Sequence, residues 1–134
     1  MERPGLNRRD RSLITIAALI TRNQASLLPF CTEEALANGV TPREISEMIK
    51  HLAYSAGWES AMAAIGSVGE IFARHGVGAN QLAARQLDHP LELNQVTEGA
   101  RVKIVSEQFG DVAPGLVNDT TNYLFRDLWL RAPV

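Results

Sequence analysis

Apolar residues recur at helical spacing along most of the chain. Asn7 is a favourable N-cap with Asp10 three positions on. The apolar residues that follow cover nearly every face of a helix: Leu13, Ile14, Ile16, Ala17, Leu19 and Ile20. The first helix is therefore expected to be central. A second helix is predicted from Ser26 to Asn38, because Gly39 supplies the left-handed residue at which helices commonly end.

The start of the third helix carries the most specific local signal. The segment Thr41-Pro42-Arg43-Glu44 combines a capping box with proline at the first helical position. Apolar residues then follow on one face until Gly57. A third helix is therefore predicted to begin at Pro42 and to end at Gly57.

The fourth helix and the segment after it differ sharply in pattern. The helix is predicted from Trp58 to Gly76, and the small residues Gly66 and Gly69 in its middle indicate close approach of another helix. Residues 77–93 show little periodicity and are interpreted as a connector with room for a short helical turn.

Two further helices are predicted beyond the connector. The stretch from Gln95 to Phe109 is predicted to be an amphipathic helix, and Pro114 begins a last helix that extends to Trp129. The whole pattern predicts an all-α fold.

Length and charge narrow the class of protein. A chain of 134 residues fits one domain that would gain stability from subunit association. Its 13 basic and 15 acidic residues nearly balance, so the composition does not indicate the basic surface that binds nucleic acid. No signal peptide is visible, and no apolar run reaches the roughly 20 residues that span a bilayer, which predicts a cytoplasmic protein without membrane contact.

The cysteine count limits redox and metal chemistry. Cys31 is the single cysteine of the sequence. An intrachain disulfide, a Cys-x-x-Cys redox pair and a cysteine-rich zinc site are therefore excluded. We expect no metal.

Three segments, in order, resemble the carboxymuconolactone decarboxylase family. They are residues 3–19 (RPGLNRRDRSLITIAAL), 38–41 (NGVT) and 51–58 (HLAYSAGW). The resemblance implies the all-helical bundle of about six helices shared with alkylhydroperoxidase D, usually assembled as homo-oligomeric trimers or hexamers. It also implies removal of carbon dioxide from a carboxylated muconolactone in aromatic-compound catabolism, without a metal or organic cofactor.

The C-terminal residues resemble the helix that normally precedes the family core. Residues 109–116 (FGDVAPGL) and 125–131 (FRDLWLR) carry this likeness. A single domain is expected, with a core at 3–76, the connector at 77–93 and the displaced helices at 94–131. We hypothesise a circular permutation, which is feasible where termini lie close together. The alternatives are a last helix that packs on a neighbouring subunit, or a chain that is one slice of a tandem array.

The family reaction requires groups that hold carboxylates and an acid that returns a proton. Arg8, Arg9 and Arg11 lie at the start of helix one, where backbone amides also favour anions, and Arg8 and Arg11 in particular are candidate substrate-binding residues. The alternative is a solvated basic end, or pairing with Glu33 and Glu34 of another subunit.

Two positions are candidate proton carriers. His51 lies one turn after Glu47, and together they are candidate catalytic residues, the alternative being an exposed contact on one helix. Cys31 is a candidate nucleophile or acid if its pKa is lowered. Otherwise it is a small buried hydrophobe.

Tyr54 and Trp58 are the remaining candidates, as aromatic walls of a substrate pocket or as core-filling side chains. The family places a histidine where this chain has Cys31, and relatives commonly carry tyrosine and proline where it has Ser55 and Glu59.

Alkylhydroperoxidase D relatives carry a glutamate and two cysteines at positions that correspond to three other residues here. Those residues are Ser12, Gln24 and Leu27. The sequence therefore argues against peroxidase chemistry by a cysteine pair.

Three hypotheses of function follow. The first is an oligomeric decarboxylase-like protein that acts on a small carboxylated lactone or related acid. The second is a non-catalytic binding or assembly module on the same scaffold. The third is a one-cysteine redox protein that uses Cys31.

Overall fold

The computed structural model describes residues 5–82 and 91–131, and every regular element in them is helical. The predicted all-α class with six α-helices is confirmed. The chain divides into two compact units, with the division between residues 83 and 84. Within the described ranges no helix has the length and apolar character to cross a bilayer.

The first unit contains four α-helices and two short 3-10 turns. The helices are α1 (Arg8–Thr21), α2 (Leu28–Ala37), α3 (Pro42–Ser55) and α4 (Trp58–Arg74), and the turns are Ala25–Leu27 and Ala79–Gln81. The turn Ala79–Gln81 lies within the predicted connector at 77–93. The predicted start of helix two at Ser26 falls in the first 3-10 turn, so the α-helix itself begins two residues later.

The predicted helix caps are present. The Asn7 side chain accepts a hydrogen bond of 2.8 Å from the amide of Asp10. At the start of α3 the Glu44 amide donates to the Thr41 hydroxyl at 3.2 Å, and the Thr41 amide donates to the Glu44 carboxylate at 2.9 Å. Gly39, with φ of 93°, adopts the left-handed conformation predicted for a helix stop.

The helices α1 and α2 form an antiparallel hairpin. The Asn38 side-chain amide, just beyond the end of α2, donates a hydrogen bond of 2.9 Å to the hydroxyl of Ser12 in the first half of α1. The start of α1 therefore lies beside the end of α2. This arrangement decides which side chains of the two helices face each other.

The core of the first unit lies where α1 meets the other three helices. Its members are apolar side chains that are at least nine-tenths buried: Ile16, Leu19, Ile20, Leu28, Ala35, Val40, Ile45, Ala64 and Val68. The prediction of a central first helix holds on the face with Ile16 and Ile20, whereas Ile14 on the other side is 53% exposed.

The prediction of close helix packing at Gly66 and Gly69 is wrong for the described chain. A Cβ atom built at either glycine meets no atom within 4 Å. Both glycines lie on an exposed face of α4, because Ala64 and Val68 turn toward the core instead. Their small size leaves this face open.

The second unit contains α5 (Gln95–Phe109) and α6 (Pro114–Asp119). The predicted bounds of α5 are confirmed, but its amphipathic character is not. Val96 and Ile104 are exposed, whereas Glu98 is buried. A polar residue therefore occupies the inner face of this helix.

The predicted continuous helix from Pro114 to Trp129 is wrong. It becomes a π-helical segment at Thr120–Phe125 and a 3-10 turn at Leu128–Leu130. The hydroxyl of Thr120 donates to the carbonyl of Leu116 at 2.6 Å, and such side-chain bonds to the preceding turn bend helices.

Charged and aromatic groups stabilise the interior of the second unit. The Glu98 carboxylate, 5% exposed as a residue, accepts a hydrogen bond of 3.2 Å from Nε of Arg126. The Arg101 guanidinium lies 4.9 Å from the ring centre of Trp129 and 5.8 Å from that of Phe125. At these distances the guanidinium makes cation–π interactions with both rings.

We expect Thr41→Ala to lower the free energy of unfolding by about 1 kcal/mol, because it removes the acceptor that caps α3. Urea denaturation followed by circular dichroism measures the change. The control is Thr21→Ala, which removes a hydroxyl bonded to the carbonyl of Ala17 at the exposed end of α1 and should cost less than about 0.5 kcal/mol. Equal losses in both variants would show that the capping box contributes nothing specific.

Candidate functional site

A polar cleft of about 300 Å³ lies between α1 and α2. Among the residues that the structure describes, it combines two guanidinium groups, one carboxylate, one thiol and three uncharged hydrogen-bonding groups. The lining residues are Arg8, Arg11, Ser12, Thr15, Cys31, Glu34 and Asn38. We call it the polar cleft.

The cleft has two chemically different ends. Because the two helices are antiparallel, Arg8 and Arg11 lie where α1 begins and α2 finishes. Cys31 lies in the first turn of α2, toward the end of α1, and Glu34 follows one turn later. One end of the cleft is therefore cationic, and the other holds a thiol and a carboxylate.

The arginine end is organised by contacts within the first turns of α1. Nε of Arg11 donates a hydrogen bond of 2.9 Å to the carbonyl of Leu6. Arg9, which does not line the cleft, pairs instead with Asp10 at 2.9 Å and with the carboxylate of Glu44. Arg8 and Arg11 both line the cleft, so a carboxylate bound at this end would lie near two guanidinium groups.

The Ser12 hydroxyl joins the two walls of the cleft. It donates to the carbonyl of Arg8 at 3.0 Å and accepts from the Asn38 amide at 2.9 Å. These bonds hold α1 and the end of α2 in one register.

The thiol of Cys31 is half-buried, and two causes raise its pKa. Burial, which penalises the charged thiolate, is the larger cause, and the nearby negative charge of Glu34 is the second. A thiol in this setting stays protonated at neutral pH. It can give a proton, but it is a poor nucleophile.

His51 and Glu47 occupy neighbouring turns of α3, as predicted. His51 is exposed and Glu47 is half-buried, and neither residue lines the polar cleft or the second cavity described below. The structure therefore does not bring His51 together with Arg8 or Cys31. Its catalytic role stays a prediction.

Tyr54 and Trp58 form the wall of a different cavity. Their rings meet edge to face at 6.1 Å between centres, and the Trp58 side chain is 63% exposed. They border an apolar groove of about 430 Å³ between α3 and α4, whose floor includes Ile65, Val68 and Phe72. The predicted pair of aromatic walls exists, but it lies in this apolar groove and not with the arginines.

Sequence reasoning missed four residues that line the polar cleft. They are Ser12, Thr15, Glu34 and Asn38. Helical spacing could have identified these residues from the sequence. Arg8, Ser12 and Thr15 share a face of α1, and Cys31, Glu34 and Asn38 share a face of α2. Glu34 was considered only as an ion-pair partner, and Ser12 only as a departure from a peroxidase pattern.

Possible metal ligands are scattered across the part of the chain that the structure describes. No group of three or more histidine, cysteine, aspartate or glutamate side chains comes together there.

The sequence profile described as "Carboxymuconolactone decarboxylase family" matches residues 1–69. The matched range contains all seven described residues that line the polar cleft. It also contains α1, α2, α3 and most of α4.

Two curated proteins are similar to part of the chain. A 4-carboxymuconolactone decarboxylase of Acinetobacter baylyi is 35% identical over 80 residues, which is 60% of each chain. Nitrosuccinic acid decarboxylase npaB of Metarhizium robertsii is 39% identical over 64 residues, which is 48% of this chain and 45% of that protein. The chain thus spans about half to three fifths of the length of these relatives.

The raised pKa of Cys31 predicts slow alkylation at neutral pH. The rate of reaction with iodoacetamide should rise with pH and reach its midpoint above the ordinary thiol value of about 8.5, since only the thiolate reacts. In Glu34→Gln the midpoint should fall, yet stay above that of the urea-unfolded chain, because burial is the larger cause. Fast labelling of the folded protein below pH 8 would instead support the one-cysteine redox hypothesis.

Proposed function

The chain belongs to the carboxymuconolactone decarboxylase family, and on this basis we propose that it removes carbon dioxide from a small carboxylic acid bound in the polar cleft. The observation that carries the proposal is the placement of two guanidinium groups and a protonated thiol in one small cleft. All of these residues fall within the range that matches the family.

The names of the similar proteins support this class of reaction. Both are decarboxylases, and the substrates in their names, 4-carboxymuconolactone and nitrosuccinic acid, are acids with two carboxyl groups. We propose a small carboxylated lactone or a related acid as the substrate of this chain, in the breakdown of aromatic compounds.

The proposed chemistry assigns the two ends of the cleft different tasks. Arg8 and Arg11 bind one carboxylate of the substrate through charge-assisted hydrogen bonds. Loss of carbon dioxide from the other carboxylate leaves an electron pair on carbon, which an adjacent electron-withdrawing group delocalises. The Cys31 thiol then gives its proton to that carbon, and the thiolate regains a proton from water.

The thiol suits this task at neutral pH. A group with a raised pKa is fully protonated when the carbanion forms, so it can act as a general acid without a separate loading step. The same property argues against the redox hypothesis, which requires a lowered thiol pKa. His51 would serve as the acid only if substrate reached the outer face of α3.

A second candidate function is a binding or assembly module. The observation that favours it is the exposed apolar groove, whose Trp58 and Met62 side chains are more than half exposed, since soluble proteins usually cover such surfaces with a ligand or another subunit. In this case the family histidine is replaced by Cys31 without gain of a new acid. A homo-oligomer, as the family resemblance implies, is part of both candidates.

The decisive test of the first candidate is spectrophotometric turnover of 4-carboxymuconolactone. We expect Cys31→Ser to lower kcat by about 10²- to 10⁴-fold, because a general acid is lost. Arg11→Gln should raise KM about 10- to 100-fold, because a charged hydrogen bond to the substrate is lost. Arg22→Gln, at the other end of α1 and outside the cleft, is the matched control and should leave both constants unchanged.

The same assay separates the two possible acids. If His51→Ala abolishes turnover while Cys31→Ser does not, the reaction takes place at α3 and the assignment to the polar cleft is wrong. Absence of turnover in the wild type, on both 4-carboxymuconolactone and nitrosuccinate, would exclude the decarboxylase proposal.

The second candidate predicts a different response to one substitution. If the wild type is inactive because the family histidine is absent, Cys31→His should restore measurable decarboxylation of 4-carboxymuconolactone. Cys31→Asn, of similar size but without a proton to give near neutral pH, is the control and should stay inactive. Activity in the wild type that Cys31→His does not improve would contradict this candidate.

A further inference from the structure

The apolar groove between α3 and α4 has no part in the proposed decarboxylation. It shares no described lining residue with the polar cleft, and its described lining belongs entirely to the first unit. Its volume of about 430 Å³ lies in the range of sites that hold small molecules. The groove is therefore a candidate for a second, separate site.

The α4 side of the groove presents apolar side chains to solvent. Trp58, Met62 and Ile65 follow one another at spacings of four and three residues, which places them on one face of α4. Their exposed fractions are 63%, 57% and 49%. Trp58 also meets the ring of Tyr54 edge to face. A ligand with an apolar body would remove this surface from water, which is favourable.

Gly69 leaves room for a ligand in the groove. It lines the groove within the continuous helix α4, and a Cβ atom built at this position meets no atom within 4 Å. Packing within the described chain therefore does not require glycine there, although glycine is a poor residue for the interior of a helix. The missing side chain instead enlarges the groove.

Polar groups line the α3 side of the groove. Ser46, Lys50 and Tyr54 are spaced four residues apart, so they share a face of α3. Lys50 is the one charged residue in the described lining. It also interacts within the chain, but its ammonium group has three N–H donors, which a bound anion can share. The groove thus combines a large apolar surface with one cation.

We propose that the groove binds a small aromatic carboxylic acid. The ring packs against Trp58, Met62 and Ile65, beside the space left at Gly69, and the carboxylate pairs with Lys50. One cation in a mostly apolar lining matches one carboxylate on an apolar body, and this charge complementarity favours the acid over a second copy of the chain. The proposal does not depend on decarboxylation in the polar cleft.

Isothermal titration with two ligands of the same shape tests the pairing with Lys50. We expect the whole chain to bind 2-naphthoate with a Kd of about 0.1 mM, an ordinary affinity for a ligand of this size. The uncharged 2-naphthamide should bind about threefold to tenfold more weakly, because it cannot form the ion pair. In Lys50→Gln the two ligands should bind within about twofold of each other. Equal binding of both ligands to the wild type would overturn the pairing.

Two glycine substitutions locate the site. Gly69→Leu places a side chain in the groove and should weaken 2-naphthoate binding more than about tenfold, because the leucine occupies the ligand's volume. Gly66→Leu is the matched control, because Gly66 is exposed on the same helix, has the same free space around it and does not line the groove. Its affinity should stay within about twofold of wild type. Leucine is the better helix former, so neither variant should show a lower melting temperature by circular dichroism. Unchanged binding in Gly69→Leu would overturn the placement.

Sedimentation equilibrium distinguishes the acid from a second copy of the chain. If the wild type is an oligomer that Gly69→Leu dissociates and Gly66→Leu does not, and if it binds no 2-naphthoate, a second copy covers the groove and the proposal is wrong.

The outcomes for the groove and for the polar cleft are independent. If the wild type binds 2-naphthoate but turns over neither 4-carboxymuconolactone nor nitrosuccinate, the groove proposal stands and the decarboxylase proposal fails. If it turns over either diacid but binds no 2-naphthoate at millimolar concentration, the decarboxylase proposal stands and the groove proposal fails.

Discussion

The packing of α1 against α2 determines where every charged group of the polar cleft lies. Ile16 and Ile20 of α1 and Leu28 and Ala35 of α2 belong to one buried apolar cluster, and this burial is the main favourable term in holding the two helices together. The hydrogen bond between Ser12 and Asn38 then selects one register of the hairpin. A shift of α2 by one turn would move Glu34 by about 5 Å relative to the arginines. The positions of the charged groups in the cleft therefore depend on an interface that is mostly apolar.

Local signals in the sequence were sufficient for most helix boundaries. The Thr41 capping box, the left-handed Gly39 and the N-cap at Asn7 are decided by bonds within three or four residues, and all were predicted correctly. The π-helical segment at Thr120–Phe125 was not predicted, since the pattern of apolar residues there fits a continuous α-helix as well. Local backbone bonding by Thr120 can change a helix without changing its apolar pattern.

The composition of the candidate site was less accessible to sequence reasoning. Arg8, Arg11 and Cys31, which were predicted as site residues, line one cleft, whereas Tyr54 and Trp58, which were predicted to line a substrate pocket, border a different groove. Which helix faces meet is a tertiary property, and the structure puts the aromatic pair between α3 and α4. Glu34 was not predicted as a site residue for a related reason: it is an exposed glutamate on a helix, and only the arrangement of α1 beside α2 makes it line the cleft.

The π-helical segment also affects how the end of the chain can be compared with other proteins. A π turn closes its hydrogen bonds over one residue more than an α turn, so side chains beyond it are rotated by about 100° from the positions that a 3.6-residue repeat assigns to them. With the side chains rotated in this way, Phe125 and Leu128 are buried, whereas Tyr123 is exposed. An alignment of residues 114–131 with an uninterrupted helix would pair inward-facing residues with outward-facing ones. The residues before Thr120 and those after it therefore correspond to different faces of the family's N-terminal helix, and each part is compared with that helix in its own register.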